Sequence, residues 1–386
     1  MTLIDHKHFH HFFANKKINE LYGAMAIFRF GVSLIALYVP IFMYQRGFSI
    51  SQILMFCVIA ATYYTLFSIP SSKFTSRFGV KHTMLLSLPI LVAYYLGLNY
   101  LHPGSMLYYI LPGVASAHSV LFNIAYHLNF IEHAERDKTA RQMTVLSMIS
   151  NIVQFASPFL GGIIIMNYGF GANFALGSII IVLSMLPLLL TKDVHEPMSF
   201  SVKDIWHYII SKKHLGMNLS FLGYAVESII SFLLWPVFLI IMLKTVAMVG
   251  GVVSLTAFFT ITTIYFIAKL ADKWDKKKLI RIGTILHFFG WLGRLFVYSP
   301  LTIFSVDTYK NISLNTVQIP LGAYFYEVSH KKNYFELIVA REIIFNVSRI
   351  VVLPLLVLLL KFSGLGFKTA FVVAALFSLL YMCIKE

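Results

Sequence analysis

The sequence predicts an all-α membrane protein of about twelve transmembrane helices arranged as two six-helix halves. Three observations predict it. Of 386 residues, 58% are hydrophobic and only 12% charged, with a mean hydropathy of +0.78. A soluble chain carries roughly 25% charged residues, so lipid must be the main solvent here. The charges are bunched between apolar runs of about 20 residues, the length that crosses a hydrocarbon core of about 30 Å. Finally, several features recur at one offset of about half the chain length.

Taken in order, residues 1–20 are polar and read as a cytoplasmic tail, followed by apolar runs at 21–44, 51–70, 82–101, 105–131, 142–166 and 172–191. The first run is long enough to span, so it is expected to stay as a helix rather than leave as a signal peptide. Residues 192–216 form a linker in which Val202, Ile205, Trp206, Ile209 and Ile210 recur at helical spacing, predicting an amphipathic helix on the membrane surface. The second half, 217–386, carries runs at 217–243, 247–271, 279–299, 301–326, 336–360 and 365–384. Most of the 31 Lys and Arg fall in or beside one set of alternate loops and the two tails, whereas only Arg46, Lys244, Lys361 and Lys368 lie beside the other set. Positive residues favour the cytoplasmic side, so both termini are placed inside. The net charge of +15 is then explained by this bias and by anionic lipid, without nucleic acid.

The turn beginning at Ser72, with Arg77, Gly79 and Lys81, aligns with Ala268–Lys277 at an offset of 196, which also carries Pro40 onto Pro236 and Pro158 onto Pro354. One matched proline pair means little. Two pairs and a loop at one shift predict an internal repeat, with these four prolines as helix bends. Membrane proteins built this way place a binding site near the midplane between the repeats.

The second copy of the turn reads Leu270, Ala271, Asp272, Lys273, Lys276 and Lys277. Together with the first, it resembles the cytoplasmic loop of the major facilitator superfamily of secondary transporters, and the resemblance extends over nearly the whole chain. Ser76 stands at the acidic position of the first copy and Asp275 at the late glycine of the second. Ser157, Pro158, Gly161 and Gly162 are similar to the second part of a motif found in many proton-coupled exporters of that family, its first two glycines being absent. The resemblance implies alternating access. It assigns gating and salt bridges to Arg77, Gly79, Lys81, Asp272 and Lys273, with Lys310, Arg341 and Glu342 added from their position.

Ionisable groups inside spans are costly and need a partner, a wet cavity or a function. Glu227 lies near the midplane with no cation one turn away, so it is the expected proton-coupling residue, with Asp307 second; the alternative is a lock in which it pairs with Arg29 or Arg349. Asp307, Lys310 and Asn311 are spaced to share one face and pair locally. Glu342, Asn346 and Arg349 form a polar stripe. Arg294 is placed towards the outer end, where it can snorkel. Arg29, His118, Asn123, Asn151, Gln154, Asn311, Asn346 and Arg349 are the candidate cavity lining, and their arginines suit an anionic or amphipathic solute.

Cys57 and Cys383 have no metal or redox spacing, and the tail histidines His6, His8, His10 and His11 are assigned no metal. No nucleotide loop or H-E-x-x-H pattern is present. The expectation is therefore a monomeric, cofactor-free, proton-coupled carrier or antiporter of a small organic solute in a bacterial inner membrane, not an enzyme, with export the direction that the stretch from Ser157 to Gly162 suggests. The alternatives are an uncoupled facilitator or importer and a lipid or amphiphile flippase, ahead of a receptor or an intramembrane enzyme.

Overall fold

The computed structural model describes residues 16–133, 139–190, 201–329 and 334–384, and among them every regular element is a helix. The chain runs through α1 (Lys16–Ala36), α2 (Tyr38–Gln45), α3 (Ile50–Phe78), α4 (Val80–Leu98), α5 (Leu107–His133), α6 (Thr139–Leu183) and α7 (Met185–Leu190). After the linker helix α8 (Val202–Ile210) come α9 (Leu215–Leu243), α10 (Val246–Lys273), α11 (Lys276–Gly293), α12 (Pro300–Ser329), α13 (Tyr334–Phe362) and α14 (Phe367–Ser378).

Local chemistry sets the helix ends. Ser49 caps α3 through a capping box with Gln52, and Gly79, at φ 86°, ends α3 and opens α4. Thr245 caps α10 by accepting from Met248 N, and Asp275 caps α11 by accepting from Lys278 N at 2.7 Å. Ser49 and Thr245 are separated by the same 196 residues that separate Gly79 from Asp275. So are the first residues of α3 and α10, and those of α4 and α11.

Packing follows the repeat: α3 and α4 pack on α5 as α10 and α11 pack on α12. The first set of helices meets the second through α6 against α10, α3 against α13 and, where the paired prolines Pro40 and Pro236 sit, α2 against α9. The α6–α10 contact needs glycine. A Cβ on Gly250 would lie 2.3 Å from Pro158 O, and one on Gly162 would lie 2.8 Å from Val246 O. The Tyr38 hydroxyl occupies the space so left and donates to Pro158 O, while Phe159 N donates to Ser254 Oγ across the contact at 3.0 Å. A second close approach joins α1 to α6, where a Cβ on Gly31 would lie 2.9 Å from Gly177 O.

Among the described residues, nine helices are long and apolar enough to cross a membrane, compared with the twelve runs read from sequence. The difference has physical causes. The fifth and sixth runs join in one segment, Phe155–Leu189, because only Gly169, at φ 81°, interrupts α6. The tenth is a 30-residue helix, α12, made polar by Asp307, Lys310 and Asn311, and the twelfth is a shorter apolar helix, Phe367–Cys383.

In the linker, α8 is held by one face. Ile205 is fully buried, Ser201 N donates to Glu336 Oε1 in the first turn of α13 at 2.9 Å, and Asn218 of α9 donates to the carbonyls of Tyr208 and Ile209. The expected apolar stripe is therefore divided: Ile205 faces protein, while Val202, Trp206 and Ile210 remain exposed.

Candidate functional site

Four helical segments, α9, α11, α12 and the 3₁₀ turn Leu379–Cys383, converge on the carboxylate of Glu227, which is completely buried. Its Oε1 lies 3.2 Å from Lys310 Nζ, 3.0 Å from His287 Nε2 and 3.1 Å from Trp291 Nε1, which donates to it. Its Oε2 accepts from the Tyr381 hydroxyl at 3.2 Å. Lys310 Nζ also donates to Ser231 Oγ, one turn along α9 from Glu227. An ionised carboxylate survives burial only with such a full set of donors and a cation.

The contact with histidine carries chemical information. A carboxylate oxygen and a bare imidazole nitrogen are both acceptors, so a separation of 3.0 Å requires a proton between them. It resides on His287 Nε2 or on Glu227. The other ring nitrogen, Nδ1, is 3.3 Å from Lys310 O and 3.4 Å from Ser313 Oγ.

Beside this cluster, Arg294 is 2% exposed, ion-paired to Asp307, and stacked over Trp235 at 3.7 Å and Trp291 at 4.4 Å. Three expectations are corrected. Glu227 is not solitary and does not pair with Arg29 or Arg349, because Lys310 reaches it from α12. Asp307 and Lys310 do not pair with one another: each is satisfied by a different helix, Asp307 by Arg294 and Lys310 by Glu227. Nor does Arg294 snorkel outward; two indole faces and a carboxylate hold it inside the bundle.

A second polar cluster lies where α3 and α5 meet α13. Glu342 accepts from the Tyr64 hydroxyl at 2.8 Å and from Arg341 at 2.8 Å, and Arg341 NH2 is 2.7 Å from His127 Nε2. Asn123 approaches the same Tyr64 hydroxyl at 3.5 Å. Asn346 donates to the Glu342 carbonyl at 2.8 Å, while Arg349 reaches Ala225 O and Asn346 Oδ1 at 3.4 Å each. Glu342, Asn346 and Arg349 thus form a stripe facing protein, and its first member ties the two sets of helices together.

The remaining candidates are more dispersed. His118 is buried and its Nδ1 is 2.8 Å from Ser87 O, against Phe122 and Phe28. Arg29 on α1 is partly buried, and Asn311 on α12 likewise. Gly79 makes the α3–α4 turn, Lys81 donates to Leu189 O at 3.2 Å, and Arg77 is exposed over Phe78. Pro40, Pro158, Pro236 and Pro354 all lie inside helices. The side chains of Asn151, Gln154, Asp272 and Lys273, and the tail histidines, lie outside the described residues. No cluster of three metal-ligating side chains occurs among the described residues. A cleft of about 290 Å³ lined by Phe42, Gln45, Arg46, Asn99, Phe170 and Gly171 opens at the end of the bundle remote from the linker, away from both polar clusters.

Sequence reasoning did not single out His287, Trp291 or Tyr381, which complete the shell of Glu227. The one available signal was an unmatched carboxylate in an apolar run, which demands partners from other helices.

No curated protein matches the chain. Among solved structures, a POT family transporter in complex with a thioalcohol-conjugated peptide superposes with a TM-score of 0.73 at 14% identity, over 95% of this chain and 94% of its own. The fold is therefore shared while the sequence has diverged. The sequence pattern of the Major Facilitator Superfamily matches residues 21–306, which includes the repeated turn, the close glycine contact between α6 and α10, and Glu227 with His287 and Trp291. On that match and that fold, the chain belongs to the Major Facilitator Superfamily.

Proposed function

We propose that the protein is a proton-coupled secondary transporter that moves a small organic solute by alternating access, and that Glu227 and His287 hold the coupling proton. In this reading residues 21–191 and 217–386 are two six-helix halves joined by the linker 192–216, with both termini on the cytoplasmic side of a bacterial inner membrane. The observation that carries it is the 3.0 Å approach of Glu227 Oε1 to His287 Nε2 in a site that also holds Lys310.

The chemistry follows from charge. With one proton between Glu227 and His287, Lys310 faces either a carboxylate or a neutral acid. Neutralising the carboxylate removes the attraction that holds the α12 ammonium against α9, and leaves Lys310 with the Ser231 hydroxyl and the Trp291 ring. Protonation thereby loosens α12 from α9, and deprotonation draws them together, which is the differential interaction that a two-state carrier needs. Glycine-mediated packing of α6 on α10 supplies a surface about which the halves rock.

The test is proton flux in proteoliposomes containing a pH dye, on addition of pooled organic solutes, for the native chain and Glu227→Gln. Solute-dependent flux in the native protein, lost in the variant, is expected. Full burial of the Glu227–Lys310 pair favours one competing reading, a facilitator in which the pair is only a lock. Solute movement that persists without proton flux, and survives Glu227→Gln, would reject coupling and leave that facilitator.

A further inference from the structure

Buried charge is compensated at Glu227 but not between α1, α5 and α13. There, among the described residues, two guanidiniums, Arg29 and Arg341, accompany one carboxylate, Glu342, which is already engaged by Arg341 and Tyr64. Arg349 is bonded only to neutral acceptors, Ala225 O and Asn346 Oδ1. Arg29 is the extreme case. No hydrogen bond or ion pair joins it to any described residue, and its Nε is buried without a partner.

Its position is within the apolar part of α1. Arg29 lies seven residues into the apolar segment that starts at Tyr22, about 10 Å along the helix axis. Glu342 is eight residues into α13, at a similar depth. Phe28, the residue before Arg29, stacks on Phe122 of α5 at 4.3 Å, and Arg341 reaches His127 of the same helix at 2.7 Å, so the two cations approach one stretch of α5. Arg29 is partly buried, and its buried Nε lacks an acceptor that a bound anion would supply. A planar fork of donors fits a carboxylate or phosphate, whose negative charge would offset the local excess.

We infer that Arg29 is the docking group for the anionic head, carboxylate or phosphate, of the transported solute, bound where α1 and α5 face α13. This rests on the transport reading for why the anion is carried, and is independent of it for whether an anion binds.

The full chain is purified in neutral detergent. Its melting temperature is measured with acetate, succinate, benzoate or inorganic phosphate against acetamide, succinamide and benzamide, at matched ionic strength in chloride. At least one anion is expected to raise it where its amide does not. The apparent affinity should fall about tenfold or more in Arg29→Gln and less in Arg29→Lys, which keeps the charge but loses the fork. A parallel arm with phosphatidylglycerol against phosphatidylcholine in mixed micelles distinguishes a lipid headgroup from a free anion; Arg29-dependent stabilisation in either arm supports the inference. Should Arg29→Gln fail to fold, phenylglyoxal modification of Arg29 in the native chain replaces it, with protection by the anion and not by the amide as the expected result. Equal effects of anion and amide, no effect of any anion or anionic lipid, or an anion effect unchanged in Arg29→Gln would overturn the inference. Reconstituted protein separates the two readings: neutral solutes carried without anion binding remove only the anionic head, and Arg29-dependent anion binding without flux removes only transport.

Discussion

The two sets of helices share their end signals and packing order but differ in what they bury. Counting back 196 residues from Glu227, His287, Lys310, Arg294 and Asp307 leads to Gly31, Leu91, Val114, Leu98 and Leu111. In the first set, buried polar groups are mostly hydroxyls turned onto their own helix, such as Ser68 to Tyr64 O, Ser72 to Ser68 O and Thr83 to Gly79 O. The second set buries such hydroxyls too, Thr260 to Thr256 O and Thr284 to Ile280 O among them, but adds ions that bind one helix to another. Hydroxyls satisfied within a helix let it move as a unit, whereas ions shared among helices make their association depend on protonation. The repeat thus preserves a scaffold while one copy holds the titratable chemistry.

The sharpest way to break this comparison is to remove one ion. Lys310→Met leaves Glu227 buried without its cation and is expected to cost about 3–5 kcal/mol, seen as a lowered melting temperature in detergent. Glu227→Leu in the same chain should restore most of it. At the position equivalent to His287, Leu91→Met should cost under about 1.5 kcal/mol. A similar loss for Lys310→Met and Leu91→Met would erase the distinction between the two sets.

Next in size is the glycine contact that joins them. Gly250→Val, whose Cβ would meet Pro158 O and the Tyr38 hydroxyl, is expected to cost about 2–3 kcal/mol, whereas Gly251→Val has its nearest neighbour at 4.0 Å and should be almost silent. Equal melting temperatures for the two variants would show that α6 and α10 do not need this approach. Tyr64→Phe removes one donor from Glu342 and should cost about 1.5 kcal/mol. A double-mutant cycle with Glu342→Gln checks that the loss belongs to this bond rather than to packing. The smallest effect is expected at the linker: Glu336→Gln weakens the hold on Ser201 N by under about 1 kcal/mol. Faster tryptic cleavage at Lys203 is the readout, and an unchanged rate would mean that Ile205 alone retains α8.

Most of the scaffold was legible in the sequence because hydropathy and capping are local. Ser49, Gly79, Thr245 and Asp275 each act on neighbours within a few positions, and an apolar run announces its own burial. Glu227, Asp307, Lys310 and Arg294 were legible as ionisable groups inside spans, but their partners were not. Spacing suggested that Asp307 would pair with Lys310 on the same helix, yet three positions along a helix also turn side chains towards different neighbours, and here those neighbours carry the better partners. His287 is 60 residues from Glu227 and Tyr381 is 154, so only the packing of α9, α11 and the last turn brings them together. His127 and Arg341, 214 residues apart, illustrate the same limit.

The tight contact at Gly31 has a further consequence for how such a molecule can change. Gly31 is the positional twin of Glu227, and the carbonyl of Gly177 with the side chain of Ile181 fills the space that any side chain there would need. Even alanine would have to push α1 and α6 apart. Position 31 therefore cannot take an acid unless α1 and α6 move apart, and relocating the proton site to it would require rebuilding that helix pair. Asymmetry between the copies acts as a ratchet: once small residues let α1 and α6 close together, the acidic position is open to only one of the twins.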